Sequence, residues 1–121
     1  MKIILDEGVP RQVVRILPDH EVTTVPDAGW ASVKNGKLLA LIGEAGYNAF
    51  ITCDKAMETQ QSFRERPFAI LLLSTNHFPS MKPHTAAIVT ALETAEKGNV
   101  TKVECGRFLA RRFRSQDGPP G

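Results

Sequence analysis

Five short runs of apolar or β-branched residues recur along this chain, and each is followed by a longer segment of helical or turn character. The runs cover residues 2–5, 20–25, 48–52, 68–73 and 99–104. Runs this short, closed by turn residues, read as strands rather than helices. Strands that alternate with crossover segments build a parallel sheet with helices on both faces, because parallel neighbours cannot be joined by a hairpin. The expected fold class is therefore α/β, a three-layer sandwich around a mostly parallel five-stranded sheet.

The intervening segments carry their own punctuation. Glu7-Gly8 makes a turn, and Pro10 suits a first helical position, where a missing N–H costs nothing. Val13, Val14 and Leu17 then form an apolar stripe, and Pro18-Asp19 ends that helix. Residues 26–36 form a loop rich in helix breakers that carries the only tryptophan, Trp30. Asn35 is a plausible N-cap for a helix through Ala45, with Leu38, Leu41, Ile42 and Ala45 on its inner face and Gly46 beyond it. A polar helical segment is expected over residues 55–64. Ser80 caps a long helix to Lys97, with Ala87, Ile88, Ala91, Leu92 and Ala95 inward and Gly98 closing it.

The run over 68–73 is the longest clean apolar stretch, far short of the roughly 18–20 residues that cross a bilayer, so no membrane span is expected. Asp6 and Glu7 interrupt the N-terminal apolar run too early for a signal peptide, and a cytoplasmic protein is the expectation. Two cysteines, Cys53 and Cys105, without CxxC spacing do not imply a disulfide framework. The net charge of +2 is unevenly spread: residues 97–114 hold six positive side chains against Glu104, a net +5 that leaves −3 for the rest. Residues 1–105 read as one domain, and residues 106–121 as a basic C-terminal extension whose Gly-Pro-Pro-Gly end is expected to be disordered. Such a tail suits contact with a polyanion, or equally a solvated terminal helix.

Two of the strands end in carboxylates: Asp6 follows the first and Asp54 the third. Alone, each reads as a turn former or a helix N-cap. Together they fall at the carboxyl ends of strands in one sheet, where ligands of α/β proteins gather. Two ionised carboxylates held close repel, so such a site usually holds a cation. Oxygen-only donors point to a hard ion, Mg²⁺ or Mn²⁺. Zinc is disfavoured, because His20, His77 and His84 are scattered and neither cysteine has a partner at useful spacing. Glu7 is a candidate outer partner, although strand alternation points it away from Asp6. Thr52 and Ser74 or Thr75 are hydroxyls able to orient the carboxylates, and Lys55 can hold a phosphate or point into solvent. Cys53 makes a poor nucleophile beside a carboxylate.

An ordered set of motifs resembles the short PIN-like family of bacterial proteins, akin to the VapC ribonuclease toxins of toxin–antitoxin pairs. The set is Ile3-Ile-Leu-Asp-Glu-Gly-Val-Pro10, His20-Glu-Val-Thr-Thr-Val25, Gly29-Trp through Leu39 with Lys34-Asn-Gly-Lys37 inside it, Ile51-Thr-Cys-Asp-Lys55, and Gln60-Gln61. The resemblance covers about residues 1–104. It implies a PIN-like fold and Mg²⁺- or Mn²⁺-dependent cleavage of RNA. Asp6 matches the acid after the first strand and Asp54 the acid of the T-x-D motif. Asn35 stands where many relatives carry Asp, able to ligate through its amide oxygen but without charge. Residues 74–77 are neutral where a further acid is usual. The resemblance also implies a cognate antitoxin and a homodimer as partners. Arg107, Arg111 and Arg112 lie beyond its reach and, as basic residues near the C-terminus, are candidates to hold an RNA backbone.

Two other readings stay open. With acids missing, the chain can be a PIN-like module that binds RNA or an antitoxin without cutting. Alternatively, Asp6-Glu7, Asp54, Ser74 or Thr75 and Lys102 imitate a response-regulator receiver domain with Asp54 as phosphoacceptor, although no proline follows Lys102.

Overall fold

The structure, a computed structural model, describes residues 1–59 and 65–106. Five strands, β1 (Lys2–Leu5), β2 (Glu21–Thr24), β3 (Ala49–Thr52), β4 (Ala69–Leu73) and β5 (Val100–Val103), form one sheet in the order β2-β1-β3-β4-β5. Every neighbouring pair is parallel. β3 and β4 are buried at every residue, as strands covered on both faces must be, and this explains why all of β4 and every residue of β3 but Thr52 are apolar. The edge strands β2 and β5 carry Thr and Lys and are partly exposed.

The register aligns whole rows across the sheet. Ile4, Phe50, Ile70 and Val100 lie side by side, and so do Leu5, Ile51 and Leu71. The first row packs with Leu38, Leu39 and Ile42 of α1 (Asn35–Glu44) and with Met57. The second packs on the opposite face with Val13, Leu17, Met81, Ile88 and Leu92. Two separate apolar layers, one on each face of the sheet, make the three-layer sandwich. At the base of the first layer Trp30 meets Tyr47 edge to face, 6.2 Å between ring centres, and Lys2 Nζ lies 4.5 Å over the Tyr47 ring. Among the described residues, no helix is long and apolar enough to cross a membrane.

Several helical segments differ from the sequence expectation. Residues Arg11–Ile16 form a 3-10 helix rather than an α-helix, with Pro10 one place earlier as its cap. Val13 is buried while Val14 stays exposed, and Leu17, also buried, is the C-cap where the chain has already left helical geometry, so the expected three-residue stripe is not formed. Lys34, not Asn35, is the N-cap of α1, and Asn35 is its first residue. The long helix expected from Ser80 to Lys97 is divided into α2 (Phe78–Met81), a 3-10 turn (Lys82–His84) and α3 (Thr85–Thr94). Pro83 accounts for the break, since its ring and missing N–H are incompatible with an uninterrupted helix. Ala87, expected inward, faces solvent. Lys55–Thr59 is a short 3-10 helix, and the remainder of the polar segment, Gln60-Gln61 included, lies outside the described residues. The basic extension with Arg107, Arg111 and Arg112 lies outside them too.

The strand order places a topological switch between β1 and β3. From β1 the chain crosses to β2 over the face that holds Val13; from β2 it returns to β3 across the other face, under α1. Neighbouring strands whose connections leave in opposite directions open a crevice beyond their carboxyl ends.

Candidate functional site

That crevice is present. It is a cleft of about 370 Å³ lined by Asp6, Glu7, Gly8, Val33, Leu38, Cys53, Asp54 and Asn76. Asp6 reaches it because β1 stops there: its N–H still donates to Ile51 O at 2.9 Å, and its carbonyl takes the Val9 N–H at 3.0 Å to close the Glu7-Gly8 turn. Leu5 pairs with Ile51 in the sheet, so one step further along puts Asp6 beside Thr52. The Thr52 hydroxyl donates to Asp6 Oδ2 at 2.7 Å, and the Glu7 N–H donates to Asp6 Oδ1 at 2.9 Å.

Thr52 joins the two acids. Its side chain is fully buried, and its Oγ1 accepts the Asp54 N–H at 3.1 Å while donating to Asp6. One hydroxyl thus sets the Asp6 carboxylate and the backbone that delivers Asp54. Asp54 Oδ1 in turn accepts the Ala56 N–H at 3.0 Å, at the start of the 3-10 helix over Lys55–Thr59. Thr52→Val keeps the shape but strips the hydroxyl and leaves the Asp6 and Asp54 groups short of a partner. Such a loss costs about 1–3 kcal/mol, which a shift in the urea unfolding midpoint will register.

Cys53 lines the same cleft, and its thiol donates to Thr75 O at 3.1 Å. Burial, with smaller contributions from Cys105 and Asp6, pushes the pKa of this thiol up to about 12. The cause is therefore desolvation first, and the carboxylate involved is that of Asp6, rather than the adjacent Asp54. A raised folded value stabilises the protein fully below about pH 9, and that contribution is lost as pH climbs towards 12. Cys53→Ala is accordingly expected to flatten the alkaline fall in stability between pH 9 and 11, read from urea midpoints across that range. The wild-type thiol is expected to react slowly with iodoacetamide at neutral pH.

The remaining sequence candidates do not all converge on this cleft. Glu7 lines it, but its Oε1 accepts the Ser32 N–H at 2.8 Å, on the loop between β2 and α1. Lys55 and Ser74 line instead a second cleft of about 200 Å³ beyond β4, with Glu58 and Lys102. The Ser74 hydroxyl donates to Gly106 O at 2.6 Å and accepts the Cys105 N–H at 2.9 Å, so it fastens the chain leaving β5. Lys102 Nζ pairs with Glu58 at 3.3 Å in an exposed setting. Thr75 is fully buried, and its Oγ1 accepts the His77 N–H at 3.1 Å. The Asn35 side chain lies outside what the structure describes. Asn76, Val33 and Leu38 were missed as cleft residues; the signal available was only their position next to strand ends and helix starts.

Among the described residues no group of three His, Cys, Asp or Glu side chains converges as a metal cage. The donors in the cleft suit a hard cation held differently. Mg²⁺ is commonly bound through one or two carboxylates, with water and substrate phosphate completing its shell. Asp6 and Asp54, opening on one solvent-accessible cleft, fit that pattern, and their oxygens retain lone pairs beyond the bonds just described. Comparison with protein-family models, with curated proteins and with solved structures yields no match for this chain. Its function has to be read from the chemistry of the cleft itself.

Proposed function

We propose that this chain is a Mg²⁺- or Mn²⁺-dependent endoribonuclease of the PIN-like type and the toxin of a toxin–antitoxin pair. The observation that carries the reading is the Asp6–Thr52–Asp54 constellation, two carboxylates set by one buried hydroxyl at the switch point of a parallel sheet. Asp6 and Asp54 hold the cation, and Asn35 is a candidate third oxygen donor. When bound there, such an ion would supply Lewis-acid chemistry towards a phosphoryl oxygen and a water. Thr52 fixes the Asp6 carboxylate, Glu7 supports the cleft from the turn, and Lys55 with Arg107, Arg111 and Arg112 offers phosphate contacts whose strength falls with salt. RNA is the substrate, a cognate antitoxin the inhibitor and a homodimer the assembly on this reading.

The strand order is one that receiver domains also use, which favours that second reading. Phosphoacceptor chemistry, however, needs the hydroxyl after β4 and the lysine of β5 to face Asp54. The Ser74 hydroxyl is bonded to Gly106 and Cys105, Thr75 Oγ1 takes the His77 N–H, and Lys102 pairs with Glu58. The absence of a third convergent acid among the described residues favours instead a non-cutting module that binds RNA or an antitoxin. Incubation of purified protein with single-stranded RNA separates the three. Cleavage that needs Mg²⁺ or Mn²⁺ and stops with chelator and in Asp6→Ala supports the nuclease. RNA binding without cleavage supports the module, and labelling of Asp54 by acetyl phosphate supports the receiver.

A further inference from the structure

The Glu7 carboxylate lies at the cleft yet is bonded away from it. Its Oε1 accepts the backbone N–H of Ser32, 25 residues further along the chain, at 2.8 Å. Ser32 is the one non-glycine residue with a positive φ among the described residues, at 67°, a conformation that an L side chain disfavours and that surrounding structure must enforce. The next residue, Val33, lines the same cleft as Asp6 and Asp54. A second tie runs the same way: Arg11, after the β1 turn, bonds Asp27 at 2.8 Å, and the Asp27 N–H is anchored on Thr24 Oγ1 at 3.1 Å. The Arg11–Asp27 pair is well exposed, at 67% and 53%, and holds only side chains together. Glu7 grips the backbone itself.

The geometry points to Glu7 as a positioning residue: its carboxylate fastens the loop over residues 26–34 to the β1 turn and thereby sets the wall of the cleft. The cation is left to Asp6 and Asp54. Its consequence for substrate rests on the nuclease reading, whereas the fastening itself does not. A loosened wall weakens the fit of a nucleotide against Val33 and Leu38, so Glu7→Ala raises KM for RNA more than it lowers kcat.

Amide hydrogen exchange followed by NMR tests the fastening directly. Loss of a hydrogen bond to a charged acceptor is expected to speed Ser32 exchange about tenfold or more in Glu7→Ala, with the Ile51 amide of the central sheet unchanged. Glu7→Gln keeps an oxygen acceptor and is expected to restore Ser32 protection to within about threefold of wild type. If Glu7→Ala does not fold, Glu7→Asp, one methylene too short to reach, serves in its place and should show the same acceleration. In parallel, Glu7→Gln is expected to shift Mn²⁺ affinity by less than about twofold, while Asp6→Asn weakens it about tenfold or more. Unchanged Ser32 exchange in Glu7→Ala overturns the inference, and so does Gln behaving like Ala, or Gln weakening Mn²⁺ as much as Asp6→Asn. Failure of the wild-type protein to bind Mn²⁺ counts against the nuclease reading, and the exchange data still decide the role of Glu7.

Discussion

Replacing Asp54 by Ala is expected to lower Mg²⁺- or Mn²⁺-dependent RNA cleavage by more than about a hundredfold, beyond the roughly 10–100-fold that loss of an outer hydrogen-bonding partner costs a metal site. On the nuclease reading Asp6 and Asp54 hold the cation, so deleting one removes half of the charge they bring to it; Glu7, the third carboxylate of the cleft, is bonded to the Ser32 N–H. The same side chain also caps the 3-10 helix over Lys55–Thr59, through its bond from the Ala56 N–H. Asp54→Asn separates the two roles, because Asn caps as well as Asp but carries no charge. Both variants should lose cleavage, whereas only Asp54→Ala should also lose stability, by about 1 kcal/mol. Initial rates on a labelled single strand, set beside urea midpoints, read both effects. Full cleavage in Asp54→Asn would remove Asp54 from the site.

The largest effect on stability is expected at Phe50. It is fully buried in the middle of β3, the central strand, with Ile4 and Ile70 beside it and α1 packed above. Phe50→Ala deletes a ring that close-packed neighbours cannot replace, at a cost of about 3–5 kcal/mol. Domains of this size are stable by only about 5–15 kcal/mol, so the variant should unfold at far lower urea, or fail to fold at ambient temperature. A function follows too, since Thr52 and Asp54 lie two and four residues further along the same chain. A cost below about 1 kcal/mol is incompatible with a closed layer beneath α1.

The sheet was legible because its strands are short, apolar or β-branched and regularly interrupted; β4 reads as a continuous apolar run for the physical reason that both its faces are covered. Helix type was harder to read. Nothing in the residues before Leu17 distinguishes a 3-10 turn from an α-helix. Pro83 was a visible breaker, but an apolar pattern on both sides of it concealed the division of the helix. Asp6 and Asp54 were legible as strand-end acids, and the register brings them to one cleft. Ser74 was read towards that cleft, but its hydroxyl goes to the chain after β5, a tertiary contact with no local trace. The positive φ of Ser32 left none either, because serine rarely adopts it and the partner that holds it, Glu7, lies 25 residues away.

The most direct measurement is anomalous diffraction from crystals of the protein soaked in Mn²⁺. One peak is expected in the cleft, next to the carboxylates of Asp6 and Asp54 that would hold the ion. A clear map with no peak between these two residues, or with the ion seated only elsewhere, contradicts the account.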